Sequence, residues 1–165
     1  MWRLVSQTFC RRRLAQRSCR REHYYGKQTM RDSKTATLLL AHGSSDANWL
    51  APFSDLLANI RKGLQGERVE LSYMELAEPS MEGQIIKLAE EGFGHIDIMP
   101  LFFAAGRHLR KDVPGQIEAL QTTLTEQGLE VTIELHPPVG LEPEVTDALR
   151  NIVIRQVNSD PASSE

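Results

Sequence analysis

Two histidines each follow the abrupt end of an apolar run. Leu38-Leu39-Leu40-Ala41 breaks into His42-Gly43-Ser44-Ser45-Asp46, and Leu101-Phe102-Phe103-Ala104-Ala105 breaks into Gly106-Arg107-His108-Leu109-Arg110-Lys111-Asp112. Neutral imidazole is the commonest side-chain metal ligand. Two imidazoles with open coordination positions suit a borderline divalent cation such as Co²⁺, Ni²⁺, Fe²⁺ or Zn²⁺. They hold it less tightly than a closed four-ligand structural site does. Glu75, in Tyr73-Met74-Glu75-Leu76, is read either as a solvated strand-end carboxylate or as a third ligand or proton acceptor. Glu78 ranks below it, because it sits nearer a helix start and complements the helix dipole there.

Arg107, Arg110 and Lys111 flank His108. They are an ordinary charged loop or, functionally, a local anion trap for a polycarboxylate ligand. Ser44 and Ser45 fall where a helix begins and serve first as capping groups; Ser44 is also a candidate substrate contact. His95 is read as structural, preceding its strand at the amino end. His136, before Pro137-Pro138, reaches toward the rim but ranks below His108.

The elements that must position these residues alternate. Ala36–Ala41 is a short continuous apolar run, as in a strand buried on both faces. Asp46 caps a helix reaching about Gly63, with Trp49, Phe53, Leu56, Leu57 and Ile60 at helical spacing. Residues 69–76 form a second strand. Pro79 and Ser80 open a second helix that Gly92 ends. Residues 96–103 form a third strand, and a third helix follows Pro114 and ends near Gly128. Residues 131–135 are a fourth strand and 142–157 a last helix, with a frayed tail after it.

Strands alternating with helices predict an α/β fold, a three-layer sandwich around a four-stranded parallel sheet in the order 2-1-3-4. In that order the chain leaves strand 1 on one side and returns through strand 3 on the other. The crevice between their carboxyl ends is where open α/β sheets bind ligands. His42 and His108 follow those two strands, and neighbouring strands lie only about 4.8 Å apart.

The ends of the chain differ in charge. Residues 1–29 hold eight basic side chains against one acid, Glu22, for +7; the rest holds eleven against twenty-one, a net −10. The basic segment is a presequence, a tail with its own partner, or lies ahead of a translation start at Met30. In each case residues 1–33 stay outside the fold, 34–157 form the domain and 158–165 a disordered tail. The expected location is the cytoplasm, or an organelle if the segment is an import signal. Cys10 and Cys19 are the two cysteines, so the domain itself has none for an iron–sulfur cluster, a disulfide or a thiolate zinc site. No apolar run approaches the roughly 18 residues that span a bilayer. GxxxxGK[ST], GxGxxG and GxSxG motifs are missing, which argues against ATP hydrolysis, a dinucleotide and a nucleophile elbow. No aromatic-and-basic face suggests nucleic acid.

Taken together, "LLLAHGSSD", "YMELAEPS" and "IDIMPLFFAAGRHLRKDVP" resemble the short-form sirohydrochlorin cobaltochelatases of the CbiX type, within the ATP-independent chelatases. The resemblance covers about residues 35–155. It implies a single chelatase-like lobe that works as a homodimer. It further implies insertion of a divalent metal, cobalt first and iron or nickel as alternatives, into sirohydrochlorin for cobalamin or sirohaem synthesis. The metal is then a substrate. The family's metal-binding histidines fall on His42 and His108, and a family glutamate on Glu75. On this reading Arg107, Arg110, Lys111 and Ser44 meet the tetrapyrrole. A non-enzymatic metal or tetrapyrrole carrier is the distant alternative. The basic N-terminal segment is not part of the family pattern, and the histidine- or cysteine-rich tails of some relatives are missing.

Overall fold

The apolar run expected as the first strand forms β1, Lys34–Ala41, at the centre of a four-stranded sheet. The computed structural model describes residues 34–159. The basic extension with Cys10 and Cys19, and the tail from residue 160 onward, lie outside the described residues. β1 pairs in parallel with β2 (Arg68–Tyr73) on one side and with β3 (Phe93–Pro100) on the other, and β4 (Thr132–Leu135) adds to β3. The order is β2-β1-β3-β4, as expected.

Alternation along the strands sorts the core into two layers. On one face Leu38, Leu40, Ile96 and Ile98 are fully buried against α2 (Met81–Glu90) and α3 (Val113–Glu126), meeting Ile85, Leu88, Ile117 and Leu124. Burying each such side chain stabilises the fold by about 1.5–3 kcal/mol. On the other face Leu39, Ala41, Val69, Leu71 and Tyr73 meet Leu50, Phe53, Leu57 and Ile60 of α1 (Ala47–Lys62). α1 therefore covers the β1–β2 half of that face. The β3–β4 half carries His95, Asp97, Met99, Thr132 and Glu134 instead.

Five boundaries differ from expectation. β2 stops at Tyr73, and the chain bends before Glu75. β3 begins at Phe93, so His95 lies inside the strand, and it ends at Pro100, which lacks the N–H to continue the ladder. Helical structure begins at Arg107, well before Pro114, so His108 stands on a helical turn rather than a loop. α4 (Pro143–Asn158) takes in Asn158, one residue beyond the expected helix. α4 buries none of its residues: Leu149, Ile152, Val153, Ile154 and Val157 are 44–62% exposed.

Candidate functional site

The turn after β1 is built so that two backbones touch. The ladder between β1 and β2 runs past both strands: Met74 N–H donates to the Ala41 carbonyl (2.9 Å) and Glu75 N–H to that of His42 (3.1 Å). Gly43 then turns away at φ +97°, and a Cβ there would overlap the Glu75 carbonyl oxygen. Only glycine fits, on both grounds. Leu76, next after Glu75, sits at φ +61°, a left-handed conformation that costs a bulky residue about 1–3 kcal/mol.

The result is a pair. His42 Nε2 lies 3.5 Å from Glu75 Oε1, with both side chains about half exposed. The Phe102 ring stands edge-on to the imidazole at 6.5 Å between centroids. Beyond it, Asp46 caps α1 as expected, accepting from Asn48 N–H (2.9 Å), while Ser44 Oγ accepts from Asp46 N–H (3.0 Å). Ser44 keeps its own O–H free to donate elsewhere.

The second wall comes from the chain after β3. Leu101 N–H donates to the Leu40 carbonyl (2.8 Å), and Gly140 N–H to that of Phe102 (2.9 Å). Gly140 packs so closely on Phe103 that a Cβ would overlap its backbone. The loop is thus held by β1 and by the 3-10 turn at Val139–Leu141 before it reaches His108. Residues His108–Asp112 form a π-helical turn, closed by Val113 N–H on the His108 carbonyl and running directly into α3. Pro114 has no N–H to offer Arg110, and the wider turn absorbs that gap.

Within this turn Asp112 Oδ2 lies 2.7 Å from His108 Nδ1. A carboxylate on Nδ1 fixes the tautomer and leaves the Nε2 lone pair for a cation. Asp112 was missed by sequence reasoning, although its i,i+4 spacing from His108 was there to be read. His108 is 73% exposed. Among the described residues no hydrogen bond or ion pair joins it to His42 or Glu75. Arg107, Arg110 and Lys111 are exposed on the same turn and have no ion-pair partner within 4.0 Å among the described residues.

The other two histidines among the described residues fold away from this edge. His95 Nε2 and His136 Nε2 each lie 3.0 Å from Asp97 Oδ1, so His136 turns back along the sheet instead of reaching the rim. Burial alone would raise the Asp97 carboxyl, but the contacts from His136 and His95 outweigh it and hold it below its ordinary value. A surface groove of about 450 Å³ lies along α3, lined by Glu118, Gln121, Thr122, Thr125 and Glu126. None of these is a candidate residue.

Comparison with known proteins identifies the family. The family model CbiX matches residues 36–156. The sirohydrochlorin cobaltochelatase of Sulfurisphaera tokodaii is 29% identical over 76% of this chain and 97% of its own length. The enzyme of the same name from Sulfolobus acidocaldarius is 30% identical over 68% and 85%. A crystal structure of a cobalamin biosynthesis CbiX protein from Marinobacter aquaeolei VT8 is 41% identical, with a TM-score of 0.64 over 75% of this chain and 98% of that one. The sirohydrochlorin chelatase SirB of Bacillus subtilis subspecies spizizenii, solved in complex with cobalt, shares the fold at a TM-score of 0.64; this chain spans 50% of it.

Proposed function

The chain belongs to the CbiX family, and we propose that it is a sirohydrochlorin chelatase, inserting cobalt first and iron or nickel as alternative metals. The observation that carries this reading is the His42–Glu75 pair at the carboxyl edge of the sheet. His42 follows β1 and His108 follows β3, and these two strands pair, in a chain matching two sirohydrochlorin cobaltochelatases over most of their lengths. With cobalt the product serves cobalamin synthesis, and with iron it serves sirohaem synthesis. The proposed location is the cytoplasm.

The chemistry follows from the residues. His42 and His108 hold the incoming ion through few bonds, so it can pass to the tetrapyrrole nitrogens. Each insertion replaces two pyrrole N–H bonds with bonds to the metal and releases two protons. Once its bond to the departing ion breaks, His42 accepts the first proton, and Glu75 stabilises the imidazolium and passes the proton toward water. Asp112 orients His108. Arg107, Arg110 and Lys111 meet the carboxylates of the macrocycle, with the Ser44 hydroxyl as a further donor.

A homodimer completes the site. One lobe presents an open edge, whereas small-molecule sites bury most of their ligand. A flat macrocycle has two faces that a twofold dimer covers with the same surface. The exposed apolar residues of α4, and Phe103 at 63% exposure, support this reading.

The test supplies purified protein with sirohydrochlorin and Co²⁺, Fe²⁺ or Ni²⁺ separately, following the change in tetrapyrrole absorbance. Many turnovers per protein are expected, fastest with cobalt. A signal that stops at one equivalent would identify a carrier instead.

A further inference from the structure

The half of the sheet that α1 leaves uncovered carries a second set of metal-ligating side chains. A central strand of a parallel sheet is expected to be apolar on both faces. β3 instead alternates buried Ile96 and Ile98 with His95, Asp97 and Met99. The register sets Asp97 opposite Glu134 and His95 opposite Thr132. His136, just beyond β4, comes onto the same strip.

Three donors converge there, His95, Asp97 and Glu134, and His136 joins them through Asp97. Both imidazole Nε2 atoms lie 3.0 Å from one carboxylate oxygen, Asp97 Oδ1. Glu134 Oε2 lies 3.9 Å from His95 Nε2. The donor atoms of His95, Asp97 and Glu134 all lie within 4.8 Å of one another. Donors bound at about 2.0–2.1 Å around a tetrahedral ion stand roughly 3.3 Å apart, so small side-chain rotations bring the set around one ion. The side chains of His95 and Asp97 are only 16% and 19% exposed, which shields an ion from competing water.

We propose that His95, Asp97, His136 and Glu134 form a second binding site for a borderline divalent cation of the Zn²⁺ or Co²⁺ class. Two imidazoles and two carboxylates suit such ions better than Mg²⁺ or Ca²⁺. Unlike the few-ligand pair at the strand ends, this set can close a coordination shell, so it retains its ion. The ion fastens β4, the edge strand, to β3. The inference does not depend on the chelatase reading.

The experiment uses the full chain with His42→Ala and His108→Ala together, which removes the strand-end ligands. Co²⁺ is titrated into this metal-stripped variant, with visible absorption and calorimetry as readouts. One equivalent should bind and be displaced by Zn²⁺, and the ion should raise the melting temperature. Adding Asp97→Asn or His136→Gln should weaken binding by more than the roughly 10–100-fold that loss of an outer-shell contact costs. Should Asp97→Asn fail to fold, His136→Gln, which keeps the His95–Asp97 contact, decides the matter. If the double variant binds no Co²⁺, the cluster is a hydrogen-bonded triad only and the proposal falls. It falls equally if binding survives both added substitutions, since the ion then sits elsewhere.

Discussion

His42 and Glu75 are joined twice, by a backbone hydrogen bond of 3.1 Å from Glu75 N–H to the His42 carbonyl and by a side-chain approach of 3.5 Å. The first fixes the second. The carboxylate does not need to find the imidazole from a flexible loop, because the extended ladder delivers it. On the proposed reading its task in insertion is to help remove protons, which sets the first prediction. Glu75→Gln should lower kcat for insertion by about 10²-fold or more, as loss of a proton acceptor does, with little change in KM. Steady-state kinetics at several sirohydrochlorin concentrations checks this. An unchanged kcat would return Glu75 to the status of a solvated strand-end carboxylate.

The turn that delivers the pair rests on Gly43. Gly43→Ala should destabilise the fold by about 2–4 kcal/mol, combining left-handed strain with overlap on the Glu75 carbonyl. Gly92→Ala separates the two terms. Gly92 also has a positive φ, +85°, but a Cβ there meets nothing within 4 Å, so it should cost only about 1 kcal/mol. Urea denaturation of both variants measures the difference. Equal losses would show that the approach to Glu75 carries no weight.

Much of this was legible in the sequence because the signals were local. The run Ala36–Ala41, the Asp46 cap and the strand–helix alternation sufficed for the sheet order, and that order pointed to His42 and His108 at the edge of the switch point. The π-helical turn was not legible, since Pro114 marks a helix start in sequence and nothing local says that a wider turn precedes it. The contact of Asp97 with His136 spans 39 positions and depends on the register of β3 with β4, which no local pattern specifies. α4 was visible as a last helix over residues 142–157, but nothing local in the sequence says what covers its apolar residues.

Arg107 and Arg110 have no acidic partner within 4.0 Å among the described residues, which leaves them available to an anionic ligand. Arg107→Gln and Arg110→Gln should each raise KM for sirohydrochlorin by about 1.5- to 5-fold, the range for an exposed charge pair, with kcat nearly unchanged. The effect should shrink with added salt. KM values indifferent to both substitution and salt would remove the turn from the substrate-binding surface.

The exposed apolar side of α4 predicts self-association. Light scattering should give twice the chain mass, and Ile152→Glu, at a position 51% exposed, should shift the population toward monomer while the lobe keeps its melting transition. Specific activity should fall on dilution together with the dimer fraction. A wild-type monomer with full specific activity would contradict the shared cleft.

The central claim is that His42 and His108 pass a divalent ion to a tetrapyrrole catalytically. The most direct measurement is the initial rate of Co²⁺ insertion into sirohydrochlorin at protein concentrations far below substrate. Wild type, His42→Ala and His108→Ala are compared, each verified as folded by circular dichroism. The account predicts many turnovers for wild type and a loss of at least about 10²-fold in each variant. Near-normal turnover in either histidine variant, or no turnover in wild type, would contradict it.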